Sequence, residues 1–160
     1  MTVSTSNLAG VTLGYTDTSA SFGLGTTVNL DDGGQAVYVE AASEISQYAA
    51  VAVLANNTVV MLTTTNAASS KRVGFAQVSI ASGSYGWVQT GGVPVVKLAA
   101  SCNPNVPLFT TATAGTLDDA TVSGGGVGLV SGIVATATAS GATAITCVAG
   151  YPNVQGYTVS

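Results

Sequence analysis

The chain has 160 residues, of which only 6% are charged: three are basic, seven are acidic, none is histidine, and the net charge is −4. Three basic residues cannot form the cationic stripe that displaces counterions from phosphate, so DNA and RNA are excluded as partners. The longest apolar run, Tyr48 to Ala55, is far short of the ~20 residues that cross a bilayer, so no membrane association is expected.

Typical globular chains carry about 25% charged residues. Here apolar residues make up 47%, mostly Ala and Val, with Gly, Ser, Thr and Asn filling much of the rest. Disorder needs high net charge and low hydrophobicity, so the composition argues for a folded domain. A surface with so few charges suits a subunit covered by neighbours in an assembly. No basic segment leads into an apolar one at the start, so no secretory signal is expected.

Residues 1–34 are rich in Ser, Thr and Gly, with scattered large apolar residues, among them Leu8, Val11, Leu13, Tyr15, Phe22 and Leu24. No period emerges, and the segment reads as an extended N-terminal arm that orders against a partner. Asp31-Asp32-Gly33-Gly34 closes it. The alternating ligand spacing of a calcium loop is absent, so these carboxylates read as a solvated turn.

The β-rich domain is expected over 35–150. Gln35 to Glu40 alternates and reads as a strand. Ala41 to Gln47 is a turn or a single helical turn. Ala49 to Leu54, the Asn56-Asn57 turn and Thr58 to Thr63 form a hairpin. In 71–98, Val73 and Phe75 share one parity while Val78 and Ile80 take the other, so the register slips near Ala76-Gln77 at a bulge or a strand break. Ala81 to Ser84 turns. Tyr85, Trp87 and Gln89 share a face, Thr90-Gly91-Gly92 turns again, and Val93 to Leu98 makes a further strand with Pro94 near its start.

The prolines of Ala99 to Pro107 make a rigid connection, after which Val106 to Thr111 resumes as a strand. Gly124-Gly125-Gly126 lacks the spacing and the strand–loop–helix context of a nucleotide fingerprint. Gly128 to Ala139 alternates, Ser140-Gly141 turns, and Thr143 to Val148 pairs back as a hairpin. Residues 151–160 read as a C-terminal tail. Cys102 and Cys147 have no metal-ligand spacing. Two small buried thiols are preferred to a disulfide.

Roughly eight or nine short strands at regular spacing, with no sustained helical period, predict an all-β fold, a small sandwich or partly open barrel of antiparallel strands. Without histidine the commonest general base and metal ligand are missing. No carboxylate pair or Ser–Lys dyad is supported by a local motif, so no enzyme activity, cofactor, metal or catalytic residue is assigned. Trp87 has a bland reading, an aromatic of the core or of a subunit interface, and a sharper one, an exposed platform for sugar. Lys71-Arg72 is either a solvated pair or a contact to an acidic partner surface.

The runs Arg72-Val73-Gly74-Phe75-Ala76-Gln77-Val78, Tyr85-Gly86-Trp87-Val88-Gln89 with Gly91-Gly92, and Pro107-Leu108-Phe109-Thr110-Thr111-Ala112-Thr113-Ala114-Gly115-Thr116-Leu117-Asp118-Asp119 resemble the capsid decoration (cement) proteins of tailed bacteriophages, the group near the lambda head decoration protein. The similarity covers roughly residues 35–150. The resemblance implies a non-enzymatic virion protein, made in the host cytoplasm. It would bind the outer surface of the expanded capsid, often as a homotrimer, and clamp neighbouring major capsid proteins against the pressure of packed DNA. It carries over no active-site residues.

The arm and the Trp87 region are then the expected contact elements, with Leu8, Leu13, Tyr15, Phe22, Lys71, Arg72, Tyr85 and Trp87 as candidate interface residues. Removing 1–34 is expected to weaken shell binding and leave the β core folded. The alternative is a receptor- or glycan-binding β module of a head fibre or spike, which would expose an aromatic sugar-binding patch.

Overall fold

The computed structural model describes residues 12–67, 71–120 and 127–157. The protein is all-β. Among the described residues no helix is long and apolar enough to cross a membrane, and none of any length occurs. In chain order the strands are β1 (Thr16–Asp17), β2 (Thr27–Asn29), β3 (Gln35–Ala41), β4 (Ala50–Val53), β5 (Thr58–Met61), β6 (Lys71–Ala76), β7 (Tyr85–Gln89), β8 (Gly91–Gly92), β9 (Val95–Leu98), β10 (Leu108–Thr110), β11 (Leu117–Asp118), β12 (Val127–Ala135) and β13 (Thr143–Tyr157).

Their pairing closes two rings of five strands. In the first, β3 pairs with β5, β5 with β4, β4 with β6, β6 with β7, and β7 returns to β3. In the second, β9 pairs with β13, β13 with β12, β12 with β10, β10 with β11, and β11 returns to β9. Each ring closes through a parallel pair, β3·β5 in one and β9·β11 in the other. The rings join where Asn153 and Val154 of β13 pair with Arg72 and Lys71 of β6.

Strand alternation sorts side chains between interior and exterior. Val37, Val39, Val51, Val53 and Val88 face the interior of the first ring, with Ile45 and Ile80 beside them. Five strands enclose little space, which explains why Val and Ala dominate and why β6 and β7 carry Gly74 and Gly86. A Cβ on Gly74 would lie 2.8 Å from the Val88 side chain, and one on Gly86 2.9 Å from that of Ile80. The opposite parity of β4 and β6, Ala50, Ala52, Val73 and Phe75, faces the second ring and joins Val96, Leu98, Leu108, Leu117, Val130 and Cys147 in the largest core. The register slip after Phe75 is therefore real. It is a strand end at Ala76 followed by an isolated bridge from Ile80 to Ile45, not a bulge.

The structure departs from the sequence expectations at both ends. Residues 12–34 do not extend away as an arm. β1 pairs with β7, β2 pairs with β3, and Leu13 and Leu30 are buried under the chain's own sheet. Residues 151–157 are not a tail but the second half of β13. Gly150 and Pro152 look like strand breakers. They fall inside an irregularity of the β12·β13 ladder, where the register shifts between Ser131 and Ile133 around Gly132 (φ 78°), so the missing N–H of Pro152 interrupts no ladder bond.

Candidate functional site

Trp87 and Tyr38 sit opposite each other on β7 and β3 and project away from the ring interior, toward residues 12–34. Phe22 closes over both, its ring centroid 5.3 Å from that of Tyr38 and 5.4 Å from that of Trp87. Tyr85 stacks on Tyr38 at 6.2 Å. The Tyr38 hydroxyl donates to Asp17 Oδ2 at 2.7 Å and accepts from the Ser21 backbone N–H at 3.2 Å. Burial, and secondarily the bond to Asp17, push the Tyr38 phenol above its usual range. Residues 17–22 are thus latched to the barrel by one aromatic cluster and one phenol.

This latch redistributes the candidate interface residues. Trp87 is 0% exposed and Leu13 is buried, so neither is available to a partner. Both are large apolar groups that the aromatic cluster and the sheet cover within the chain itself. The sugar-platform reading of Trp87 fails for the same reason. Tyr85 is half-buried. Tyr15, 57% exposed, Phe22 and Leu24 do present apolar surface. Leu8 lies outside the described residues. Lys71 and Arg72 hold the chain's own loops: Lys71 Nζ donates to the Asn66 carbonyl, and Arg72 Nη2 to Asn57 Oδ1 at 2.8 Å and to the Leu54 carbonyl at 3.2 Å.

Asp31-Asp32 divides. Asp31 is exposed, as a solvated turn requires, but Asp32 is half-buried and holds three segments together. Its Oδ1 accepts from Gly34 N at 2.8 Å. Its Oδ2 accepts from Val93 N at 2.9 Å and from Nε2 of buried Gln89 at 2.8 Å. Gln89 also donates to the Gly91 carbonyl at 2.9 Å. The turn is a structural knot built on Asp32.

Beside this knot lies a groove of about 720 Å³, where β2, β3, β6 and β13 meet. Its walls carry Thr27, Gln35, Arg72, Tyr151, Asn153 and Gln155. A smaller hollow of about 310 Å³, walled by Gly34, Gly91, Gly92 and Gly150, lies on the other side of Tyr151. Tyr151 is 66% exposed and takes a positive φ of 47°, uncommon for a residue with a Cβ. Its hydroxyl donates to Gln35 Oε1 at 2.5 Å. Sequence reading placed Tyr151 in the tail and Gln35 in an ordinary strand. The only signal was the crowding of two special residues, Gly150 and Pro152, around a tyrosine.

Cys102, Asp118 and Asp119 bring ligand atoms within 4.8 Å of one another. Asp119 Oδ2 already accepts from Asn103 N and Nδ2, both at 2.9 Å, and these bonds hold its carboxyl below the usual range. The Cys102 thiol is pushed up by burial and then by the Asp119 charge. Cys147 is pushed up to about 12 by burial and the proximity of Cys102. Both cysteines are buried and unbridged. No protein-family model matches this chain, and no curated protein matches it significantly.

Proposed function

We propose that this protein is a structural decoration subunit that binds the outer surface of an expanded phage capsid and cements neighbouring major capsid proteins, acting as a homotrimer without enzymatic activity. The observation that carries the proposal is the latched segment 12–34, which presents Tyr15, Phe22 and Leu24 to solvent on a surface almost devoid of charge. Apolar side chains held rigidly in place lose little conformational freedom on docking, so more of their contact energy appears as affinity. The charged side chains Asp17, Asp32, Asp119, Lys71, Arg72 and Lys97 are engaged in hydrogen bonds within the chain. That arrangement supports a scaffold rather than a reactive centre. A subunit that binds only the expanded shell stabilises that state by mass action, and three linked copies add avidity.

The test is co-sedimentation with expanded, undecorated capsids, alongside the mass of the protein in solution. Saturable binding at many equivalent positions by a trimer is expected. A stable monomer that binds no shell overturns the proposal. Deleting 1–34 is a poor probe, because it uncovers Trp87 and Tyr38. The double substitution Tyr15→Ser with Leu24→Ser changes only exposed groups. It is expected to lower capsid occupancy while leaving the unfolding midpoint in place.

A further inference from the structure

We propose that the groove between the two rings is a binding site for a carboxylate-bearing saccharide, with Tyr151 as the stacking platform and Arg72 as the anion contact. This site does not depend on the decoration role. Four observations converge on it. First, Tyr151 is the most exposed of the large apolar side chains among the described residues and is held in a strained backbone conformation. Such strain persists only where surrounding structure enforces it, and it concentrates at functional sites. Here the Tyr151 N–H donates to the Thr90 carbonyl at 2.9 Å and the hydroxyl to Gln35, so both ends of the residue are fixed. An immobilised aromatic face with its negative quadrupole offers a ready surface to the C–H groups on one side of a pyranose ring.

Second, beside Val37, Val73, Pro152 and Val154 the groove wall carries side-chain amides and hydroxyls, the groups that read sugar hydroxyls by paired donation and acceptance. Gln35 Nε2 donates to Asn29 Oδ1 at 3.0 Å, and Ser131 Oγ donates to Asn153 Oδ1 at 3.0 Å, so these amides are oriented. Among the described residues Asn153 Nδ2 and Gln155 Oε1 have no partner, leaving one donor and one acceptor for a ligand. Third, the chain has a net charge of −4, yet among the described residues the groove is lined by Arg72 and by no carboxylate. Arg72 uses Nη2 for the Asn57 loop, and a guanidinium has further N–H groups for an anion.

Fourth, the floor argues against an added peptide strand. At Asn153 and Val154, β13 is already paired with β12 on one side and β6 on the other, so this part of the floor offers no free ladder. Strand addition needs such an edge. Over this floor recognition comes from side chains, which favours a saccharide over an extended peptide.

The probe is trigalacturonate, with its fully methyl-esterified form as the neutral counterpart, followed by saturation-transfer NMR and by amide shifts of 151–155. Binding of the acid form is expected, about tenfold weaker for the ester and about tenfold weaker for Arg72→Gln. Tyr151→Gly removes the ring and relieves the positive φ, so it is expected to abolish binding while keeping or raising the melting temperature. No saturation transfer from either saccharide overturns the proposal. So does unchanged binding by Tyr151→Gly, or a response in the groove to an extended acidic peptide but to no saccharide.

Discussion

Gly34 and Gly91 meet so closely that a Cβ on Gly34 would lie 2.0 Å from the Gly91 carbonyl oxygen. The contact brings the turn between β2 and β3 against the start of β8. Gln89, the last residue of β7, is held by Asp32 two residues before Gly34. Gly34→Ala is therefore expected to destabilise the fold by about 3 kcal/mol or more, at the upper end for overpacking. Gly33→Ala meets no atom within 4 Å, though its φ of 82° still penalises a Cβ. It is expected to cost about 1 kcal/mol. Urea midpoints for the two variants check the ordering.

Asp32 should behave as a structural residue. Asp32→Ala leaves the Val93 and Gly34 N–H groups and the buried Gln89 amide without an acceptor, and a loss of about 3 kcal/mol is expected. Asp32→Asn keeps one acceptor oxygen and is expected to lose about half of that. Equal and negligible shifts in denaturation midpoint for both variants would return Asp32 to a solvated turn.

The thiols set an alkaline limit. Cys147 moves from 9.0 to about 12 on folding. A group whose folded pKa is raised contributes stability that is fully present below its unfolded pKa and is lost as pH rises through the folded value. Stability should thus fall between about pH 9 and about pH 12, with Tyr38 adding to the loss above pH 10. Cys147→Val should flatten the thermal-melt profile over that window. In the native state both thiols should react slowly with a thiol reagent, and unfolding in urea should release them.

Truncation after Gly150 tests the status of the last residues. It removes Asn153 and Val154, which link β13 to β6 and face Ser131 and Val130 of β12. Val154 is also part of the largest core. A dispensable tail would leave the melting transition unchanged. Loss of a cooperative transition is expected instead, visible in calorimetry as a broadened, weakened peak.

What was legible in the sequence was local. The alternation of Gln35 to Glu40, the Asn56-Asn57 turn with Asn57 at φ 61°, and the start of the 128–148 hairpin each carry a short-range signature. Ring closure carries none, because the parallel pairs β3·β5 and β9·β11 rest on one or two residue partnerships between strands that say nothing about each other. Asp32 could be seen as a turn residue. Its partners Gln89 and Val93 stand 57 and 61 positions away, beyond the reach of any motif. Tyr151 was hidden for another reason: its positive φ sits at the register shift opposite Gly132, and in residue type only the flanking Gly150 and Pro152 mark it.

The order of the strands along the chain gives the two rings different histories during synthesis. All strands of the first ring lie between Gln35 and Gln89, so it can close before the last strands of the second ring are made. The second ring cannot close until Thr143–Tyr157 emerges, because that strand touches β12, β9 and β6 together. In the interval Val73 and Phe75 stand on the outside of the first ring without the cover of Cys147, Ala149 and Val154. That interval is when a nascent chain is most prone to join another, and its length is set by the residues separating Gln89 from Thr143.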